Sequence, residues 1–216
     1  KYDLDSWAAR GNPGWTYDEC LPVLKRIESD QDYGDQPHHG SDGPITVRRN
    51  FSLDAPRTGM IAAFIDRAVD LGFPLIPDMN VPNPQGLGPG ASNVKDKVRQ
   101  STAVAYLADA RGRSNLTIIA DAQVQSLRIV GRRVEEVVYE HAGQIQTAVA
   151  DQVVLSAGVF HSPQVLELSG VGRATELERL GITQVLDLPG VGENYQDHAG
   201  VNMTFEGAVD FNPDWV

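Results

Sequence analysis

An apolar β-branched run that stops at a glycine and restarts as a capped helix allows few architectures. Residues 153–172, VVLSAGVFHSPQVLELSGVG, contain one. Val153, Val154 and Leu155 form a continuous apolar stretch, as expected of a strand covered on both faces. Ser156, Ala157 and Gly158 close it with small side chains, which lets another backbone or a ligand come near. Ser162 and Pro163 suit the cap and first position of the next helix, whose free N–H groups favour partial negative charge. In open α/β sheets, ligands sit at the carboxyl ends of the strands. Gly158 therefore has two readings: close helix–strand packing with no ligand, or the wall of a binding site.

The rest of the chain is consistent with an α/β fold. Thr16 with Glu19 forms a capping box, and Leu21, Leu24 and Ile27 continue a helix that Pro22 kinks after its first turn. Residues 30–44 read as an acidic, glycine-rich loop, and ITVRR (45–49) as a half-buried strand. From Thr58, residues Met60, Ile61, Phe64, Ile65, Ala68 and Val69 share one helical face, closed by Gly72. Residues 74–90 hold too much Pro, Gly and Asn for a regular element. DKVRQSTAVAYLADA (96–110) reads as a helix. NLTIIADA, QVQSLRIV, RRVEEVVYE and QIQTAVADQVVLSAG read as a meander returning to a buried strand, and ATELERL and ITQVLDL as a final helix and strand.

Composition limits the function. The 216 residues are 41% hydrophobic and 22% charged, which fits a soluble globular chain of one large or two small domains. A net charge of −11 without any Lys/Arg run longer than a pair excludes a nucleic-acid footprint. The apolar stretches are too short for a membrane span. The single cysteine, Cys20, excludes an intramolecular disulfide and a cysteine-based zinc cluster, and suits the cytoplasm. The GVG pairs at 170–172 and 190–192 lack a third glycine and read as turns, which argues against a nicotinamide-dependent dehydrogenase.

Together these blocks resemble the glucose–methanol–choline (GMC) oxidoreductases, flavoenzymes that oxidise alcohols. GVFHSPQVLELSGVG (158–172) resembles that family's second signature, with Val159 where a smaller residue is usual. DLPGVGENYQDH (187–198) is similar to the tail of its flavin domain. The stretch at 2–29, where Asn12, Gly14 and Trp15 lead into a helix, and the blocks RQSTAVAYL and RSNLTIIADAQV resemble three more family blocks, all in order. The resemblance implies a mixed α/β fold: part of an FAD-binding Rossmann-like domain with a β-meander, plus part of an antiparallel-sheet substrate domain. Residues 1–43 and 91–200 would be flavin-domain material, and 44–90 and 201–216 substrate-domain excursions. It also implies a middle segment, with the GxGxxG cradle before residue 1 and the catalytic histidine region after residue 216.

The implied chemistry is base-assisted hydride transfer from an alcohol to flavin N5, then to an acceptor or oxygen, with FAD as cofactor. The resemblance places Val124 by the adenine and Ser156, Ala157 and Gly158 beside FAD. It assigns no catalytic residue within this chain. His198, in QDH, resembles a histidine that lines the active site in some members, and the alternative is a structural histidine at the domain seam. Choline-oxidising members place a glutamate two residues later to hold the ammonium, where this chain has Gly200, which implies a different alcohol. General resemblance favours a dehydrogenase over an oxidase, and residues 30–49 resemble actinobacterial, including mycofactocin-linked, members.

Of the other histidines, His38 and His39 read as a solvated loop rather than a metal site with Asp35 or Asp42, since neighbours on a flexible loop do not fix coordination geometry. His141 falls in a hairpin turn, and His161 satisfies a local backbone group ahead of the helix cap. Asp78, Met79 and Asn80 lie in a loop that runs near the substrate entrance in the family. Trp7 and Trp15 pack by the first helix. No metal is expected. The partners would be an alcohol, an electron acceptor and the rest of the same protein. The competing reading is a non-catalytic folded module that binds no flavin.

Overall fold

The chain opens with two helices, α1 (Tyr2–Ala9) and α2 (Tyr17–Ile27), in a computed structural model that describes residues 1–54 and 59–202. The capping box of α2 is closed. Thr16 Oγ1 accepts from the Glu19 N–H at 3.3 Å, and Glu19 Oε2 accepts from the Thr16 N–H at 3.1 Å. Hydrogen bonds from Thr16, its hydroxyl first, hold the Glu19 carboxyl below its usual range. Pro22 lies inside α2 without ending it. Trp7 and Trp15 meet edge to face with ring centroids 5.7 Å apart.

From Ile27 the chain passes directly into β1 (Glu28–Asp30), where the sequence suggested helix end and loop. β1 pairs in parallel with β2 (Ile45–Arg49). The connection over 31–44 must therefore cross back, and it does so pressed onto the end of α2. A Cβ at Gly40 would collide with the Lys25 carbonyl, and one at Gly43 with the main chain of Ile27, so only glycine permits the approach.

α3 (Gly59–Asp70) forms on the periodic run, although Thr58 lies outside the described residues. Ile65 and Ala68 are buried, while Met60, Ile61, Phe64 and Val69 are exposed. Loop 74–90 has only a bridge between Leu75 and Leu87, after which β3 (Ala91–Ser92) pairs antiparallel to β2.

The helix expected over 96–110 does not form. β4 (Val94–Lys95) and β5 (Val98–Arg99) pair across a turn in which Asp96 and Lys97 both have positive φ, 49° and 64°. β-branched Val94 and Val98 flank that turn, and their hairpin consumes the head of the expected helix. Only a π-helical turn over Ala103–Leu107 follows.

Lys1–Leu116 form one compact unit, and a second begins at Thr117. In the second, β6 (Ala122–Val130), β7 (Arg133–His141) and β8 (Gln144–Ala148) make the expected antiparallel meander. α4 (Gly158–Leu168) packs on β6, fastened by Ser169. The Ser169 hydroxyl accepts from the Leu127 N–H at 2.7 Å and donates to the Val165 carbonyl at 2.5 Å. β9 (Val171–Gly172) pairs in parallel with β10 (Leu186–Asp187), with α5 (Ala174–Arg179) between them in sequence. Leu127, Tyr139, Val165, Val171 and Leu177 are the buried apolar residues of this unit.

Four expectations change here. NLTIIADA forms no strand before Ala122, and ITQVLDL contributes only Leu186–Asp187. Val153–Leu155 has no strand partner among the described residues, and Val154 is 86% exposed. Apolar side chains alone do not make a strand, because the ladder needs a neighbour's hydrogen-bonding edge. α4 starts at Gly158, so Ser162 and Pro163 lie inside it rather than at its head.

Candidate functional site

Of the residues singled out at the glycine turn, Ala157 converges with β6, while Ser156 and Gly158 lie outside the groove's lining. That strand is bulged at Gln125: Val124 faces Tyr139, and Ser126, not Gln125, takes the next partner, Val138. A groove of about 310 Å³ lies between this end of β6 and one side of α4, lined by Val124, Gln125, Ala157, His161 and Gln164 among others. Val124 and Ala157, distant in sequence, thus share one cavity. Gly158 has φ +87°, a conformation that favours glycine, and a Cβ built there meets nothing within 4 Å. Nothing among the described residues packs against this glycine. The Ser162 hydroxyl accepts from the Ala157 N–H at 3.0 Å and fixes the turn from within the helix. Ser156 is exposed beside it. Bare main chain at Gly158 next to a hydrogen-bonding groove fits the dinucleotide that the family resemblance implies.

The other candidates lie outside this groove. His198 is exposed, and its N–H donates to Asp197 Oδ1 at 2.7 Å. His141 ends β7, and His38 Nδ1 lies 3.4 Å from the Tyr17 hydroxyl. His161 belongs to α4 and lines the groove, instead of merely serving a local backbone group.

The first unit holds a cluster that sequence reading missed. His39 is 2% exposed, so its reading as part of a solvated loop fails. Its Nδ1 lies 3.1 Å from Asp30 Oδ2 and 3.2 Å from Glu28 Oε2, and its Nε2 lies 2.7 Å from Asp78 Oδ2. Arg49, at the end of β2, donates from Nη1 to Asp30 Oδ2 at 2.8 Å and from Nη2 to Asp78 Oδ1 at 2.6 Å. Its guanidinium carbon sits 4.9 Å from the Tyr33 ring centre.

Asp30 Oδ1 accepts the N–H groups of Asp32 and Tyr33, both at 2.9 Å, and Asp78 Oδ1 accepts that of Asn80 at 2.9 Å. Burial pushes the Asp30 carboxyl up, but the Tyr33 and Asp32 N–H groups and Arg49 outweigh it, so the net direction is down. Asp78 is lowered in the same way, burial being outweighed by the Asn80 N–H, Arg49 and His39. Arg49 is raised: burial opposes its charge, and its bonds to Asp78 and Asp30 favour it more.

Comparison with known proteins assigns the chain. The family described as GMC oxidoreductase matches residues 1–200. The chain belongs to this family. Oxygen-dependent choline dehydrogenase of Vibrio vulnificus (strain YJ016) is 40% identical over 204 residues, covering 94% of this chain and 36% of that protein. Pyridoxine 4-oxidase from Mesorbium loti superposes with a TM-score of 0.78 at 33% identity, over 87% of this chain and 36% of that one. An FAD-dependent oxidoreductase from Chaetomium thermophilum gives 0.80 at 26% identity, over 91% and 36%. The chain thus spans about a third of the length of these relatives.

In this GMC oxidoreductase chain, the buried cluster also has the makings of a metal site. Glu28, Asp30 and His39 bring donor atoms within 4.8 Å of one another. However, Arg49 already occupies Asp30 Oδ2 and would set a fixed positive charge against any cation. The cluster therefore reads as an ion-pair network that ties loop 74–90 to β1 and β2. Its traceable signal was the pair Gly40 and Gly43, which a loose loop would not need. No helix among the described residues is long and apolar enough to cross a membrane.

Proposed function

We propose that this chain is the middle segment of an FAD-dependent GMC alcohol dehydrogenase, and that Val124, Ser156, Ala157 and Gly158 hold the cofactor. The supporting observation is the single groove shared by Val124 and Ala157, with open space at a left-handed glycine beside it. When bound, FAD would supply the acceptor for hydride from a carbinol carbon. The chain's own residues bind and orient. The bulge at Gln125 frees main chain next to Val124 from the ladder, Ser162 holds the Ala157 turn in shape, and Gly158 keeps side chains out of the cofactor's way. His198 faces the substrate side, and no residue of the segment is assigned the catalytic base. Residues 1–43 and 91–200 belong to the flavin-binding part and 44–90 to the substrate-binding part; residues 55–58 of that excursion, and 203–216 of the second substrate-domain excursion expected over 201–216, lie outside the described residues.

The substrate is an uncharged primary alcohol, with a cellular electron acceptor favoured over oxygen. A quaternary ammonium requires a carboxylate or aromatic cage to offset its desolvation, and Gly200, two residues after His198, supplies neither. Anaerobic mixing of the full-length protein with alcohols tests the reading. A bound-flavin spectrum that bleaches with an uncharged primary alcohol such as pyridoxine, but not with choline, is expected. A colourless protein that takes up no added FAD overturns the cofactor assignment, and rapid bleaching by choline overturns the substrate assignment.

A further inference from the structure

A cavity of about 390 Å³ lies in the first unit, between α2, β2 and loop 74–90. Leu21 and Ile27 of α2, Ile45 and Val47 of β2, and Val81 and Pro82 of the loop give it apolar walls. All six are half-buried, so folding leaves apolar surface uncovered around one space. A cavity of this size and lining suits a small molecule.

The polar groups of the lining decide its charge. Lys1 Nζ lies 4.0 Å from Asp18 Oδ1. Glu28 Oε2 accepts from the Gly40 N–H at 3.0 Å and lies 3.2 Å from His39 Nδ1. These charged groups already have partners within the protein, and an ionic ligand would enter without one. Hydrogen-bonding capacity remains elsewhere. The Tyr17 hydroxyl and His38 Nδ1 share one contact at 3.4 Å, which leaves the other ring nitrogen of His38 without a partner among the described residues. The Asn80 carboxamide is also unpartnered among them, while its N–H is held by Asp78, itself fixed by Arg49 and His39.

We propose that this cavity binds a small uncharged molecule with an apolar body and one hydroxyl, which Tyr17 and His38 recognise. The body lies against the α2 and β2 walls, and the ion network keeps the Asn80 side of the cavity in place. The site stands on residues of the first unit and does not depend on the flavin reading.

The test is calorimetric titration of the full-length protein with 2-naphthol and with naphthalene, which has the same body and no hydroxyl. Neither carries a carbinol carbon, so neither is a hydride donor. The wild type is expected to bind one 2-naphthol per chain, about threefold to tenfold more tightly than naphthalene, the scale of one hydrogen bond. Tyr17→Phe and His38→Ala are each expected to reduce that preference by weakening 2-naphthol while leaving naphthalene unchanged. Leu21→Trp, which fills the cavity, is expected to abolish binding of both probes, with circular dichroism as the check on folding. No saturable binding to the wild type, equal affinity for the two probes, or a preference that survives in either polar variant overturns the proposal. Undiminished binding by folded Leu21→Trp overturns it as well. None of these outcomes bears on the flavin reading.

Discussion

The two compact units bury opposite kinds of group. Among the described residues of the first, the buried set is dominated by charge, namely Asp30, His39, Arg49 and Asp78, with Ile65 and Ala68 the buried apolar residues. In the second it is Leu127, Tyr139, Val165, Val171 and Leu177, with Ser169 as the polar member. An apolar core loses stability in proportion to what is removed from it. A buried ion network fails when one partner goes, because the others are left charged and dry. The first unit should therefore be sensitive to pH and to single neutral substitutions, and the second mainly to lost volume.

Acid gives the largest difference. The folded-state carboxyls of Asp30 and Asp78 lie below their usual range, despite burial, because N–H donors and Arg49 favour the ionised form. Groups lowered in this way stabilise fully above the unfolded value of about 3.9, and that stability drains away as pH falls through the folded values. Hydrogen exchange followed across acidic pH should show residues 28–49 losing protection before residues 122–141. Simultaneous loss in both segments would erase the contrast.

Arg49→Met comes next. It strands Asp30 and Asp78 in the interior and should cost about 4 kcal/mol, measured by denaturant unfolding. The triple change Asp30→Asn, Arg49→Met and Asp78→Asn should cost less than the single one, which an apolar core cannot mimic. Leu177→Ala, at a side chain only 1% exposed, should cost about 3 kcal/mol in the second unit and leave its pH response unchanged. The smallest effect concerns a turn: Ala142 sits at φ +51° ahead of Gly143 in the hairpin joining β7 and β8. Ala142→Asn should stabilise by about 0.5 kcal/mol, read as a rise in midpoint.

Local signals were legible in the sequence. The Thr16–Glu19 box, the periodic face of α3 and the glycine turns of the meander are each encoded within a few residues, and each formed. What escaped was non-local. The ion network draws on residues 28, 30, 39, 49 and 78, and no window contains them, so two histidines in a polar loop read as solvated. Val153–Leu155 read as a buried strand from side chains alone, yet pairing depends on a neighbour. At the candidate site, the small residues Ser156–Gly158 were legible at the end of an apolar run, and Val124 came from family resemblance. The groove's neutral lining, with His161 in it, required the folded arrangement of β6 against α4.

The most direct measurement is a crystal structure of the full-length protein with FAD bound. The account predicts cofactor atoms within about 4.5 Å of both Val124 and Gly158, the distance of van der Waals contact. FAD bound elsewhere, with the β6–α4 groove filled by protein side chains, would contradict it.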